Sequence, residues 1–523
     1  MVTPQQKLAL ALEALKALQD KGLQAIPGTA LHRTHRQTLQ RAGFLQEVIR
    51  GWYIRKRPDE KDGDTTPWYA SMREFVAGYA NERFGDRWHL NPEQSILLRS
   101  GERSVPKQLQ IWATEGTNQP VGLPHDCSLF IYRAPQLLAS SPVRDCGDLR
   151  LAELSPALVA ASPTLFVQNP LAIQVALYSL SDASDLLRLL LAGPHPAVAG
   201  RIAGAFRATG RPAIADEILG AMRSAGNVVN ELNPFTAPLP ALLPGGRAES
   251  PCVQRLRILW AAMREPVIQA FSAPQDKPAD TEALLRDVEA RYVSDAYHSL
   301  SIEGYRVAPD LIEKIRSGNW NPDNNAADQA TRDAMAAKGY FEAHKIVKED
   351  LVRIINGQNP GTVFRQSLSR WYQALFSPSV QAGILEPADL AGYRNDQVFI
   401  RGTQHVPPAK DAVRECMPVL FELLEAETDP AVRAVLGHFV FVYIHPYMDG
   451  NGRIARFLMN LMLASSGYVW TVIPVNQRTE YMKGLEQASS SRDITPFAAQ
   501  ISRLTNEQKQ APLPRPPGRQ TLQ

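Results

Sequence analysis

The tightest constraint on this chain is the run His445-Pro446-Tyr447-Met448-Asp449-Gly450-Asn451-Gly452-Arg453-Ile454-Ala455-Arg456. It sets an imidazole, a carboxylate, a glycine-flanked turn and two guanidinium groups in one short stretch. Ile454, Phe457, Leu458, Leu461 and Met462 recur at helical spacing, which predicts a helix with one apolar stripe to bury. Gly450-Asn451-Gly452 can adopt positive backbone dihedrals that turn successive N–H groups into one concavity, and the following helix adds its positive N-terminal end. An anion is expected there. Arg453 and Arg456 project on neighbouring parts of one helix face, where each planar fork can clamp phosphate oxygens. Asp449 offers a hard oxygen ligand suited to a magnesium ion bridging phosphates. His445 is the nearby side chain whose ordinary pKa suits proton abstraction near pH 7. A Gly-Asn-Gly turn before an ordinary helix, with solvated arginines, would account for any three of these residues but not for the ordered set.

The string resembles the motif of the Fic family, His-Pro-Phe-x-(Asp/Glu)-Gly-Asn-Gly-Arg-x-x-Arg, with Tyr447 in place of Phe and every other fixed position matched. Members of that family transfer the AMP part of ATP to a hydroxyl on another protein. The resemblance implies that His445 deprotonates the target hydroxyl and Asp449 holds Mg2+. It also implies that Gly450, Asn451 and Gly452 take the α-phosphate side, Arg453 the α- and β-phosphates, and Arg456 the γ-phosphate. An acid at 449 favours nucleotidyl transfer over the phosphorylation performed by the Doc toxins of the wider superfamily, which carry Lys there. Val440-Phe441-Val442-Tyr443-Ile444 reads locally as a buried strand. The Fic fold instead implies a central buried helix ending at the catalytic loop.

Two further stretches gain meaning from the resemblance. Ser299-Leu300-Ser301-Ile302-Glu303-Gly304 is similar to the inhibitory helix of one class of Fic proteins. A Glu303 carboxylate paired with Arg456 would occupy the guanidinium meant for the γ-phosphate, with Ser299 on the same helix face and Gly304 ending the helix. Val398, Phe399, Ile400, Gly402 and His405 resemble the family's target-binding flap, an extended edge that could pair with a strand of the substrate protein. His405 reads as a flap residue rather than a second base. Asn476 to Tyr481 lies where family members contact adenine, and no individual role is carried over.

Toward the N-terminus, Leu8, Leu12, Leu15 and Leu18 predict a helix, a second short helix could start near Thr29, and His32 to Arg41 forms a basic helix. Phe44 to Arg57 alternates around Gly51 like a hairpin. That order predicts a winged helix-turn-helix. Arg33, Arg36, Arg41, Arg50, Arg55, Lys56 and Arg57 face only Glu47, a local excess that DNA phosphates would attract, with Arg33, Arg36 and Arg41 on the candidate recognition helix. With Gly43-Phe44-Leu45 and Arg50-Gly51-Trp52-Tyr53, the first two hundred or so residues resemble an AbiEi-type antitoxin or transcriptional regulator. What this implies is promoter binding, not chemistry.

The expected fold class is mainly α, an all-α Fic domain preceded by a winged helix-turn-helix and a small α+β region. The expected domains are a winged helix-turn-helix over 1–62, an α+β then helical regulator-like region over 63–271, a linker over 272–281, the Fic domain over 282–504, and a disordered Pro-rich tail over 505–523. A chain of 523 residues is too long for one core, and a net charge of +3 leaves nucleic-acid binding to local clusters. No apolar run spans a membrane and the first residues lack a signal peptide's apolar core, so a cytoplasmic location is expected. Cys127, Cys146, Cys252 and Cys416 have neither metal nor disulfide-framework spacing.

The function expected is a protein adenylyltransferase with ATP as co-substrate and Mg2+ as cofactor, acting on a target protein's hydroxyl or on itself. A DNA-binding regulator with a sensory or idle Fic domain, a hydrolase removing AMP and a transferase using another nucleotide are the alternatives. A homodimer stays open.

Overall fold

The computed structural model describes residues 3–56, 58, 65–237, 239, 249–272, 280–320 and 332–510. Arg57, most of the expected linker (273–279) and the tail beyond Gln510 lie outside the described residues. Contacts divide the chain into two units, Met1–Arg255 with Phe399–Val406, and Leu256–Val398 with Pro407–Gln523.

The first unit opens with α1 (Pro4–Gln19), where the Thr3 hydroxyl accepts the Gln6 N–H while the Gln6 side chain accepts the Thr3 N–H. Then come β1 (Ala25–Pro27), a 3-10 turn at Gly28–Ala30, α2 (Arg33–Arg41), β2 (Leu45–Ile49) and β3 (Trp52–Arg55). The strands form an antiparallel sheet in the order β1-β3-β2, packed over Leu15, Ile26, Leu39 and Tyr53. The short helix expected near Thr29 is only the 3-10 turn Gly28–Ala30, and the hairpin expected over 44–57 is joined by β1 into a three-stranded sheet.

A second core joins α3 (Thr66–Phe84), β4 (Trp88–Leu90), α4 (Pro92–Arg99), β5 (Gln108–Ala113), β6 (Pro120–Gly122) and β7 (Ser128–Arg133). The sheet order is β4-β5-β7-β6, with β5 and β7 parallel, and Trp68, Phe75, Trp88, Ile111 and Ile131 are fully buried. After the hairpin β8 (Ser140–Val143) and β9 (Leu149–Ala152) the chain turns helical: α5 (Leu154–Ala160), α6 (Pro163–Gln168), α7 (Pro170–Tyr178), α8 (Ser184–Leu191), α9 (Pro196–Ala208) and α10 (Pro212–Ser224). Their apolar stripes close on Leu158, Phe166, Leu186, Phe206 and Ile218.

The division between the units falls inside α11 (Pro251–Ala270). The second unit continues with α12 (Thr281–Ile302), α13 (Pro309–Arg316), α14 (Arg332–Ile355), α15 (Pro360–Gln381), α16 (Lys410–Ala426), α17 (Pro430–Ile444), α18 (Asn451–Ala464), α19 (Arg478–Glu486) and α20 (Thr495–Gln510), with no strand among its described residues. The strand-like run 440–444 is helical. Asp429 caps the Val432 N–H at 2.9 Å, Pro430 suits the first turn, and α17 is buried on nearly all sides, so tertiary burial outweighs β-propensity. The buried Asp350 of α14 accepts from Trp371 Nε1 and Ser367 Oγ of α15, both at 2.8 Å, which fixes that pair.

Candidate active site

The site is built where α17 ends and α18 begins. Pro446 cannot continue a helix and disfavours helical backbone before it, so His445 closes α17 in the left-handed region (φ 51°, ψ 61°) with its N–H on Phe441 O at 2.9 Å. The buried Arg394 clamps the far side of this turn. Its Nε donates to His445 O at 2.8 Å and its backbone N–H to Pro446 O at 2.9 Å. The His445 ring, half-buried, has Nδ1 3.3 Å from Val442 O.

Tyr447 is buried and stacks on Tyr372, ring centroids 3.9 Å apart and planes within 7°. Asn451 departs from the expectation that it holds phosphate. Its Oδ1 accepts the Tyr447 N–H at 3.0 Å and its Nδ2 donates to Tyr447 O at 2.8 Å, so the amide braces the loop. The glycines also differ from the expectation. Only Gly450 is left-handed (φ 83°), while Gly452 lies in the first turn of α18. Gly452 is needed for space: a Cβ there would collide with Glu303 Oε1.

Both arginines are buried. Arg453 is sandwiched between the rings of Phe376 (4.9 Å) and Tyr305 (5.1 Å), with Nη2 3.4 Å from Asp449 Oδ1. Its Nε and Nη2 have no hydrogen-bond acceptor among the described residues. Arg456 is fully committed. Nη2 donates to Glu303 Oε1 at 2.7 Å and to Ser299 O at 3.0 Å, and Nε donates to Ser299 Oγ at 2.9 Å. Burial alone would lower its pKa, but the Glu303 carboxylate overrides that and holds it above the ordinary arginine value.

Glu303 caps the end of α12, and Gly304 (φ 88°) turns the chain away. Arg478 Nε accepts the duty of satisfying a terminal carbonyl of α12, donating to Ile302 O at 2.8 Å. Behind Arg456, the Tyr481 hydroxyl lies 3.5 Å from Nη1 and 2.9 Å from His438 Nε2, a support that no spacing in the sequence announces. Asp449 is half-exposed, and its Oδ1 accepts the Gly450 N–H at 2.6 Å. Among the described residues no three His, Cys, Asp or Glu side chains gather as a metal cage. One half-exposed carboxylate beside the unfilled donors of Arg453 still fits a magnesium ion that arrives with triphosphate oxygens.

The expected flap residues divide between the two units. Val398 belongs to the second unit, whereas Phe399, Ile400, Gly402 and His405 group with the first. No strand forms from 398 to 406; Gly402 (φ 75°) makes a turn, His405 is buried, and Val105 N–H donates to Gln404 O at 3.0 Å. On α2, Arg33 and Arg41 are exposed, but Arg36 donates to Gly28 O and lies over the Tyr53 ring at 5.6 Å.

The model of the Fic/DOC family matches residues 365–463, the segment that contains α16, α17, the catalytic-type loop and most of α18, so a Fic/DOC domain occupies this part of the chain. Over a longer stretch the chain is similar to the protein adenylyltransferase Fic of Nematostella vectensis, 28% identical over 235 residues, covering 44% of this chain and 50% of that protein. It is likewise similar to the protein adenylyltransferase Fic of Drosophila willistoni, 30% identical over 233 residues, covering 43% of this chain and 42% of that one. The chain thus spans about half the length of the curated relatives it matches. Among solved structures, a Fic-1 chain from C. elegans aligns with a TM-score of 0.36 at 18% identity, over 65% of this chain and 95% of its own.

Proposed function

We propose that the Fic/DOC domain is a protein adenylyltransferase that moves AMP from ATP to a hydroxyl of a target protein or of itself, and that Glu303 restrains it. The observation that carries this reading is the Glu303 carboxylate, which lies over Gly452 at the first turn of α18 and on the guanidinium of Arg456. A helix N-terminus, a residue without a side chain and a buried arginine are what a phosphate group needs, and a carboxylate there competes with it. The names of the relatives support the same chemistry.

In the proposed reaction the target hydroxyl oxygen attacks the α-phosphorus as its proton passes to His445 Nε2. The bond from that phosphorus to the α,β-bridging oxygen breaks and pyrophosphate leaves, while AMP stays on the target as a phosphoester. Magnesium on Asp449 would neutralise charge on the phosphates. Arg453 would orient the α- and β-phosphates, and Arg456, once free of Glu303, the γ-phosphate. Asn451 holds the Tyr447 peptide so that the backbone N–H groups of the α18 first turn stay open to the anion. The test is mass spectrometry of purified protein after incubation with ATP and Mg2+. Glu303→Gly should carry added AMP at least about 10-fold above wild type, since each 1.4 kcal/mol is a factor of ten and a charge-assisted hydrogen bond to a buried guanidinium is worth about that. His445→Ala in the same background should carry none. Equal labelling of wild type and Glu303→Gly would defeat the brake.

We also read the N-terminal module as a DNA-binding regulator of the AbiEi kind. The supporting observation is that Arg33 and Arg41 are exposed on one side of α2 while Leu39 is buried on the other. Arg36, engaged with Gly28 and Tyr53, drops out of that surface. Retention on promoter DNA should weaken steeply with salt and be lost in Arg33→Ala/Arg41→Ala.

A further inference from the structure

The segment that carries the brake makes a second contact with the site. Glu303, Gly304 and Tyr305 end α12 in a doubly hydrogen-bonded turn, Gly304 N–H to Ser301 O at 3.0 Å and Tyr305 N–H to Leu300 O at 3.1 Å. That turn fixes the backbone of Tyr305 without using the Glu303 side chain. Tyr305 is buried, and its hydroxyl donates to Asp449 Oδ2 at 3.3 Å. Oδ1 of the same carboxylate takes the Gly450 N–H at 2.6 Å. Each carboxylate oxygen therefore has one fixed donor and retains lone-pair capacity for a metal ion. The Tyr305 ring also forms one wall of the Arg453 sandwich and lies 5.3 Å from the guanidinium of Arg332. Arg332 is itself exposed and 3.7 Å from Asp449 Oδ2.

We propose that Tyr305 is a positioning residue that orients Asp449 for the metal ion and holds Arg453 for the phosphates, so that the inhibitory segment is also part of the catalytic frame. The proposal rests on the adenylyltransferase reading and goes beyond it. Hydrogen bonds to a ligating carboxylate set its orientation and basicity, and their loss weakens metal binding. The consequence concerns regulation. If the whole 299–305 segment withdrew, the site would lose the group that aims its metal ligand. Release must move the Glu303 side chain off Arg456 while the turn at Gly304 keeps Tyr305 in place.

Tyr305→Phe keeps the ring and removes only the hydroxyl, which makes it the informative variant. In full-length Glu303→Gly protein, adding Tyr305→Phe should raise the Mg2+ concentration for half-maximal AMP transfer roughly 10-fold, with little change in rate at saturating Mg2+. Calorimetric titration of ATP into full-length Glu303→Gly/His445→Ala protein, with and without Tyr305→Phe, reads the same effect without turnover. The Phe variant should bind more weakly at low Mg2+ and converge at high Mg2+. Tyr305→Phe with Glu303 intact should stay restrained. An unchanged or lowered Mg2+ requirement would overturn the proposal, as would a deficit that persists at saturating Mg2+ or activation by Tyr305→Phe alone. If Glu303→Gly transfers no AMP but the calorimetric difference is present, the adenylyltransferase reading fails and the positioning role stands. Absence of ATP binding in both calorimetric proteins overturns both.

Discussion

A methyl group at position 452 would displace the carboxylate oxygen that pairs with Arg456 and would approach Arg456 Nη1 to 3.1 Å, a contact that a small shift of the guanidinium relieves. The same volume is where we propose a phosphate sits once Glu303 withdraws. Alanine is the better helix former by about 1 kcal/mol, so Gly452→Ala in the first turn of α18 should not lower the melting temperature of Glu303→Gly protein. It should lower AMP transfer in that background by roughly 100-fold, the cost of displacing reacting groups by about an ångström. Labelling and thermal melts of Glu303→Gly with and without Gly452→Ala check both halves, and full activity in the double variant would show that no anion uses this surface. At this scale the sequence was informative within the motif and, through the resemblance, at Ser299 and Glu303, which meet Arg456. The run 445–456 is contiguous, so one helix turn and one loop bring its groups together. Tyr305, Arg394, Tyr481 and His438 come from other elements, and no local spacing marks them. Even inside the motif, two details were not legible: the Asn451 side chain braces the Tyr447 peptide, and Gly452 serves by lacking a side chain rather than by a positive φ.

Elements are legible where burial and local propensity agree, as in α1 and α12, and misleading where they conflict, as in α17, whose β-branched end is helical because it is enclosed. Enclosure also places titratable rings where water cannot reach them. Burial, then Arg456, pushes the His438 imidazole of α17 down to about 3, and burial, then Lys348, does the same for His344 of α14. Their unfolded forms take up protons near 6.5, so the folded state binds fewer protons below that pH. The stability they contribute is complete above 6.5 and falls as pH drops toward 3, at about 1.4 kcal/mol per pH unit per histidine. Asp295 of α12 acts in the opposite sense. Burial pushes its carboxyl up to about 6, so between 6 and its unfolded value it takes its proton in the folded state first and offsets about one histidine. Taken together, these three groups leave the slope of about one imidazole just below pH 6. His344 sits among the rings of Tyr292, Phe457 and Trp470, a setting that suits phenylalanine. His344→Phe should therefore flatten the fall in melting temperature of the second unit between pH 6 and 5, and a slope equal to that of wild type would refute this account.

At the scale of the whole molecule, composition shifts and Pro-rich stretches point to a joint near 272–281, whereas contacts divide the chain inside α11 and return Phe399–Val406 to the first unit. A short segment that leaves one core and joins another has no compositional signature, because its membership is set by distant partners. Here the partners are specific. Val406 is buried in the core that holds Trp68, Phe75, Ile111 and Leu129, and the neighbouring Gln404 carbonyl takes the Val105 N–H at 3.0 Å. Truncating Val406 to alanine removes two methyl groups from that core, which should cost roughly 2 kcal/mol. The loss should be read locally. Hydrogen exchange of the full chain should speed up in β5 and β7, with α17 and α18 protected as before, because only the first unit loses packing. Faster exchange in α17 and α18, with β5 and β7 unchanged, would instead assign this segment to the second unit.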